Sequence, residues 1–430
     1  MATCELINAN SLEYLKTLAD NSVDTFVTDP PYGLSDFKAT DVKRCLAKWI
    51  ANEPFQFGKP GFLGRDWDSW VPGPELWCEV YRVLKPGGYL AAFSGSRTLD
   101  LMSMAIRLSG FDVRDILVWF FSSGMLHAKM LRAGEIGEEI GEFDGWASTL
   151  KPAHEPIVLA RKPLEASLEE NLKRYGTGAL NIDGCRVPVP QSALEIAPRG
   201  PQPLTLGFLP ETPPDPQQEA LIAQDKRLGR IPSNVLIQHA PTCTCEERDG
   251  VMEWECDPES DCPAPVMNLQ GGERRGAKRS VKTRGNGGLS SFGYESRTTK
   301  PYTAVIGFGD AGGATRYFPQ LGWQAEKALA PFLFASKSTG NERKMGLERN
   351  PHPTVKPISV MRWLIQLLVP PGGLVIDPFM GSGSTALAAW DLDVDFKGIE
   401  LSPEYHAAAS ERLRHWKALT SDKKAQGKLF

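Results

Sequence analysis

An open, doubly wound α/β sheet, built from the two ends of the chain with its middle third set aside, is the fold that the sequence predicts. Three observations predict it. Short apolar runs alternate with amphipathic helical stretches over the first 160 residues, the alternation breaks at about 165, and it resumes at about 351. Such alternation is the pattern of a sheet covered by helices on both faces.

The elements follow in order. SLEYLKTLAD (11–20) has apolar residues at helical spacing, and VDTFV (23–27) is a short strand that ends at DPPY. PELWCEVYRVL is an amphipathic helix closed by Lys85, Pro86, Gly87 and Gly88. The strand YLAAFSG, a helix around TLDLMSMAIRLSG and the strand DILVWFF complete the first run. After the break, KPISVMRWLIQLLV is a helix stopped by Pro370, Pro371 and Gly372. The strand GLVIDPF then runs into Gly381, Ser382 and Gly383, which open the helix STALAAWDL, and FKGIEL is the last strand. The expected organisation is a sheet domain split between 1–165 and 345–415, an inserted lobe at 166–344 and a tail at 416–430.

Composition narrows the class. With 430 residues and 41% hydrophobic content the chain can build real cores. No window of about 18 uninterrupted apolar residues occurs, which argues against a membrane-spanning helix. The N-terminus, MATCELINANSLEYL, has no basic flank before an apolar block, so a cytoplasmic protein is expected. A net charge of −4 gives no global pull toward nucleic acid, but residues 271–300 carry eight Lys and Arg against two Glu.

Two motifs carry chemistry. By itself DPPY reads first as a turn, because proline fixes φ and restricts the residue before it. DPFMGSGST (377–385) is a strand end, a Gly-rich turn and a helix start, where the backbone can approach a ligand closely. Asp377 would repel a pyrophosphate there but suits a ligand with an ammonium and hydroxyls. Glu400, ending the next strand, can accept from ribose hydroxyls. Together they fit an adenosine with an amino-acid tail.

DPPY after one strand, DPFMGSGST after another, HPTVKP just ahead of the latter, the acid at 400 and LKPGGYLAAFSG resemble the beta-class DNA amino-methyltransferases. In that family the catalytic motif precedes the S-adenosylmethionine motif, with a target-recognition region between them. The likeness covers residues 1–165 and 345–415. It implies a Rossmann-like methyltransferase sheet of permuted motif order. It further implies S-adenosyl-L-methionine held by Asp29, Thr354, Lys356, Asp377, Phe379, Gly381, Ser382, Gly383, Thr385 and Glu400. Asp29, Pro30, Pro31 and Tyr32 become catalytic. Asp29 and the Pro30 carbonyl would accept the two hydrogens of an exocyclic amino group, the prolines would hold that carbonyl rigid, and Tyr32 would stack on a flipped base.

The expected reaction is methylation of an amino group in double-stranded DNA. Adenine N6 is favoured because Asp opens the motif, and cytosine N4 is the alternative. Protein glutamine or RNA methylation, or an inactive DNA-binding module, are the further alternatives. A homodimer is common in the family. Trp119 reads equally as a core aromatic and as the second wall of the base pocket, and Phe121 stands where the family often has lysine. Asn10 replaces the aspartate common at the end of the first strand.

The middle third adds two expectations. His239, Cys243, Cys245, Cys256 and Cys262 offer five ligands for one structural zinc, with buried thiols as the alternative. Eight acids against one arginine lie between Cys245 and Cys262, so that knuckle would repel phosphate. DNA contacts are expected instead from Arg274, Arg275, Lys278, Arg279, Lys282 and Arg284, with Arg316 and Tyr317 nearby.

Overall fold

A computed structural model describes residues 2–61, 64–121, 130–132, 142–150, 152–187, 231–238 and 340–425, with short pieces at 243–248, 251–255, 264, 281–282, 303–304 and 320–321. The strands are β1 (Cys4–Asn8), β2 (Val23–Thr28), β3 (Leu84–Phe93), β4 (Asp112–Phe120), β5 (His154–Arg161), β6 (Val235–Gln238), β7 (Thr244–Arg248), β8 (Val251–Glu255), β9 (Val281–Lys282), β10 (Thr303–Ala304), β11 (Gln320–Leu321), β12 (Leu374–Asp377) and β13 (Asp395–Glu400). The helices are α1 (Ser11–Lys16), α2 (Ala39–Ile50), α3 (Pro74–Val83), α4 (Leu99–Leu108), α5 (Leu168–Tyr175), α6 (Gly340–Lys344), α7 (Ile358–Leu368), α8 (Ser384–Asp391) and α9 (Pro403–Ala425).

Nine strands form one sheet in the order β1-β13-β12-β2-β3-β5-β4-β6-β11. Pairing is parallel except where β5 lies between β3 and β4. Alternate residues of each strand face opposite layers. Val27, Ala91, Phe93, Leu159 and Val375 pack beneath α7 and α8, whereas Phe26, Leu90, Ala92, Val158 and Ile376 pack beneath α3 and α4. Full burial of a Phe or Leu contributes roughly 1.5–3 kcal/mol. The doubly wound sheet that the apolar runs predict therefore has a core on each side.

From β2 the chain winds one way to β3, and from β12 it winds the other way to β13. The gap between β12 and β2 is thus the point where strand order reverses, and a crevice opens there beyond the carboxyl ends of the strands. Thr28, Asp377 and Glu400 close β2, β12 and β13, so both chemical motifs emerge at this crevice.

Some expectations about the elements are corrected. Lys85–Gly88 does not stop a helix, because β3 begins at Leu84; pairing with β2 shifts register between Val23 and Thr25, and Gly87 takes φ +82 to pass the irregularity. The sheet does not leave the middle third aside, since β6 pairs with β4 and β11 with β6. Nor is 165 a break in packing: Asn171 donates to the carbonyls of Pro86 and Thr177, and Asn181 N–H to Leu367. Residues 416–425 continue α9 instead of forming a tail, with Trp416 Nε1 donating to Asp391 at 2.6 Å.

Candidate active site

The loop after β2 is held by groups far away in sequence. The buried carboxylate of Asp68 accepts from the backbone N–H groups of Tyr32 (2.7 Å), Gly33 (3.0 Å) and Leu34 (3.3 Å). Thr98 Oγ1 donates to the Tyr32 carbonyl at 2.6 Å. Pro30 is buried, Pro31 half-buried, and Gly33 turns the chain at φ +66. DPPY is therefore an irregular loop rather than the turn its prolines predict, held by Asp68 and Thr98 beside the crevice.

Lys356, from HPTVKP, lies against the same motif. Its Nζ donates to Asp29 Oδ2 at 2.6 Å and lies 3.3 Å from Glu155 Oε2, while Tyr32 Oη donates to that same Glu155 oxygen at 2.8 Å. The ammonium also sits 5.2 Å from the Tyr32 ring centroid and 5.0 Å from that of Phe93. Asp29 Oδ1 is buried and has no hydrogen-bond partner among the described residues. Burying an acceptor unpaired costs about 1–3 kcal/mol.

Burial pushes the Asp29 carboxyl above the usual range, opposed by Lys356 and reinforced by Glu155. Burial would lower Lys356, but the two carboxylates more than offset it and raise it. Tyr32 is held well above its ordinary value, by burial first and then by the carboxylates, so its hydroxyl remains a donor. Lys356, one of the residues expected at the cofactor, lines the cleft and also reaches Asp29 and Glu155.

A cleft adjoins this cluster, bounded by Asp29, Thr354, Lys356, Asp377, Gly381 and Ser382. Asp377 spans the crevice: Oδ1 accepts from Thr28 Oγ1 (2.7 Å) and Phe379 N–H (3.0 Å), and Oδ2 from Thr385 Oγ1 (2.5 Å). Burial nonetheless pushes it up to about 6. Two of the residues expected at the cofactor, Phe379 and Thr385, thus bond to a third, Asp377. Glu400 accepts from Gly381 N–H (2.9 Å) and Ser402 N–H (2.8 Å), and burial raises its pKa.

The Gly-rich turn has little room for side chains. Gly381 has φ +54, and a Cβ there would stand 2.9 Å from His352 Nε2; Gly383 has φ +84 and caps α8. The His352 ring shares its Nδ1 with the Thr354 carbonyl, and burial lowers it to about 4, so it is neutral at pH 7. Arg412, fully buried, donates to the carbonyl and hydroxyl of Ser382 and to the Glu342 carbonyl. Ser384 Oγ, beside the cleft, is buried without a partner among the described residues.

Other expected residues fall elsewhere. Trp119 is 1% exposed and packs on Phe93 and Phe121, with ring centroids 6.4 and 4.9 Å away. It supports the pocket from within the core, opposite Glu155 in the β4–β5 register, and shows no exposed face for a base. Asn10 N-caps α1 by accepting from Glu13 N–H. Cys243 is buried and Cys245 lies in β7, whereas His239, Cys256 and Cys262 lie outside the described residues. Lys282 ends β9; Arg274, Arg275, Lys278, Arg279, Arg284, Arg316 and Tyr317 lie outside them too. Sequence reasoning missed Asp68, Thr98, Glu155 and Arg412. Each acts across 30 or more positions, so no local motif marks it.

Residues 23–411 match the family model N6_N4_Mtase, described as DNA methylase. Type II methyltransferase M.HindIII of Haemophilus influenzae is 28% identical over 202 residues, 41% of this chain and 64% of that protein. Type II methyltransferase M.HpaI of Haemophilus parainfluenzae is 28% identical over 185 residues, 43% of each. The chain thus spans less than two thirds of either relative. Among solved structures, PvuII DNA methyltransferase (cytosine-N4-specific) aligns over 96% of this chain and 86% of that one, at 15% identity and a TM-score of 0.42.

Proposed function

The chain belongs to the N6_N4_Mtase family of DNA methylases, and from that premise we propose that it transfers a methyl group from S-adenosyl-L-methionine to an exocyclic amino group of a base in double-stranded DNA, adenine N6 first. The observation that carries the reading is the division of labour at Asp29. Oδ2 is held by Lys356, and Oδ1 is buried with no partner among the described residues.

An aromatic amine is a poor nucleophile because its lone pair is conjugated into the ring. Oδ1 can accept one of its hydrogens and the Pro30 carbonyl the other, drawing the nitrogen toward tetrahedral geometry and aiming the lone pair. Tyr32 provides the ring on which a base flipped from the duplex can stack. Asp29 can also take the proton that the nitrogen must lose after the transfer.

The cleft suits the cofactor. Close approach over Gly381, the Ser384 hydroxyl with no partner among the described residues, and remaining acceptor capacity on Glu400 are the features that would hold an adenosine with an amino-acid tail. When bound, S-adenosylmethionine supplies a methyl group activated by its sulfonium. Glu400→Ala is expected to weaken cofactor binding by about 1–3 kcal/mol, because the Gly381 turn loses its anchor and the ribose its acceptor. Calorimetry checks this, and unchanged affinity gives Glu400 another role.

The DNA interface is proposed for the basic segment 271–300. Deleting it is expected to leave cofactor affinity intact and flatten the salt dependence of DNA binding, the slope falling by about 0.9 for each phosphate that is no longer neutralised. An unchanged slope in a filter or anisotropy titration removes the segment from the interface. The reaction itself is tested by incubating plasmid DNA with purified protein and S-adenosylmethionine, then resolving the digested nucleosides by mass spectrometry. N6-methyladenine is expected, N4-methylcytosine would change the base, and neither would remove the reading.

A further inference from the structure

Two carboxylates meet Lys356 at the end of β2, and the transfer described above employs only one of them. Glu155 is the second residue of β5, 123 residues from Tyr32, and its side chain is 14% exposed. We propose that Glu155 is a positioning residue for methyl transfer, holding the Tyr32 ring in the plane that receives the base and the Lys356 ammonium on Asp29. The proposal rests on the roles given to Asp29 and Tyr32.

Tyr32 is fixed at both ends. Asp68 and Thr98 hold its backbone N–H and carbonyl, and Glu155 Oε2 accepts from its hydroxyl, at the far end of the ring. With the backbone pinned, only the two side-chain torsions remain, and the hydroxyl bond fixes them. A ring set in advance spares a stacked base the cost of ordering it. Misplacing a reacting group by about 1 Å can cost roughly 10²-fold in rate.

Lys356 is fixed from the same oxygen. Its ammonium lies between Asp29 Oδ2 and Glu155 Oε2, at 2.6 and 3.3 Å, and beside the rings of Tyr32 and Phe93. Without Glu155 the ammonium keeps one anionic partner and can turn about it toward Oδ1, the atom reserved for the target nitrogen. The charge at 155 therefore matters beyond its shape. Glu155→Gln keeps an acceptor for Tyr32 and loses the charge facing Lys356, whereas Glu155→Ala loses both.

The charged and titratable groups facing Asp29 are Lys356 from the HPTVKP segment, Glu155 from β5, Tyr32 from its own loop and Asp377 from β12. Of these, Glu155 disfavours the ionised form of Asp29. Removing its charge lets Asp29 ionise at lower pH, so the acid limb of the rate profile moves down. A role in folding alone leaves that limb in place.

The test is single-turnover methyl transfer to DNA by wild type, Glu155→Gln, Glu155→Ala, Tyr32→Phe and the Glu155→Ala/Tyr32→Phe double variant, with S-adenosylmethionine affinity measured on each. Glu155→Ala is expected to be slower by roughly 10²-fold at unchanged cofactor affinity. Glu155→Gln should recover part of that loss with its acid limb displaced to lower pH. The double variant should lose less than the sum of the single losses, as groups in one network do. Wild-type rate in Glu155→Ala, strictly additive losses, or an unmoved acid limb in Glu155→Gln each overturn the proposal. If Glu155→Ala fails to fold, Glu155→Gln and Tyr32→Phe, which preserve volume, carry the comparison. An active wild type with indifferent Glu155 variants overturns this assignment alone; a wild type that methylates no amino group overturns it together with the reading on which it rests.

Discussion

Replacing Asp29 with alanine is expected to slow methyl transfer by about 10²-fold or more while S-adenosylmethionine still binds. The side chain supplies an acceptor in the loop that no described residue occupies, since Oδ1 is buried without a partner among them and Oδ2 belongs to Lys356. Truncation removes the hydrogen-bond acceptor for the target nitrogen and the nearest acceptor for its proton. The cofactor turn is untouched, because Gly381 is held by Glu400 and Ser382 by Arg412. Lys356 retains Glu155 as a counter-charge, so the variant should fold. Asp29→Asn should fall between the two, keeping an oxygen at the site without the charge. Single-turnover transfer beside a calorimetric binding curve separates the effects, and near wild-type turnover would place the chemistry elsewhere.

Replacing Lys356 with methionine is expected to do the broadest damage. Its side chain is only 8% exposed, and its ammonium pairs with both Asp29 and Glu155. Removing one partner of a buried ion pair costs about 3–5 kcal/mol, because the remaining charge is left uncompensated. Here two carboxylates would remain. Asp29, already raised by burial, loses the group that most favours its ionised form. Its pKa in the folded variant therefore rises further above the unfolded value. A carboxyl shifted that way binds protons more readily when folded, so the stability deficit is smallest in acid and grows as pH rises through the folded-state pKa. The acid limb of the rate profile moves up, opposite to Glu155→Gln. Denaturation midpoints across pH, with rates over the same range, check both signs; a pH-independent deficit would mean that the cluster is held by packing rather than charge.

The sequence was most legible where chemistry is contiguous. Asp29 with its prolines, the Gly381–Gly383 turn and Glu400 each end a run whose apolar pattern marks a buried strand, and the sheet brings all three to the reversal between β12 and β2. The supports of the site were not legible, because they come from elsewhere in the chain. Asp68 sits 36 residues from Tyr32 in a single 3-10 turn too short for periodicity, and Glu155 lies near the start of a strand whose own pattern concerns only the core. Lys356 is visible as a motif residue, but its pairing with Asp29 and Glu155 spans too much of the chain for the motif to show. β6 was missed for a different reason. Four residues are too short for a periodic signal, and it is pairing with β4 and β11 that makes VLIQ a strand. Trp119 shows the limit of residue type as a guide, since an aromatic beside a catalytic loop can serve by supporting the charged groups rather than by touching the base.

The most direct test of the account uses S-adenosylmethionine carrying a trideuterated methyl group, plasmid DNA, and wild type and Asp29→Ala compared at equal cofactor occupancy, with nucleosides fragmented to locate the label. A trideuteromethyl group on the exocyclic amino nitrogen of adenine is expected with wild type, and loss of that product with Asp29→Ala. Label on a ring carbon or ring nitrogen, or the same amino product at the same rate from Asp29→Ala, would contradict it.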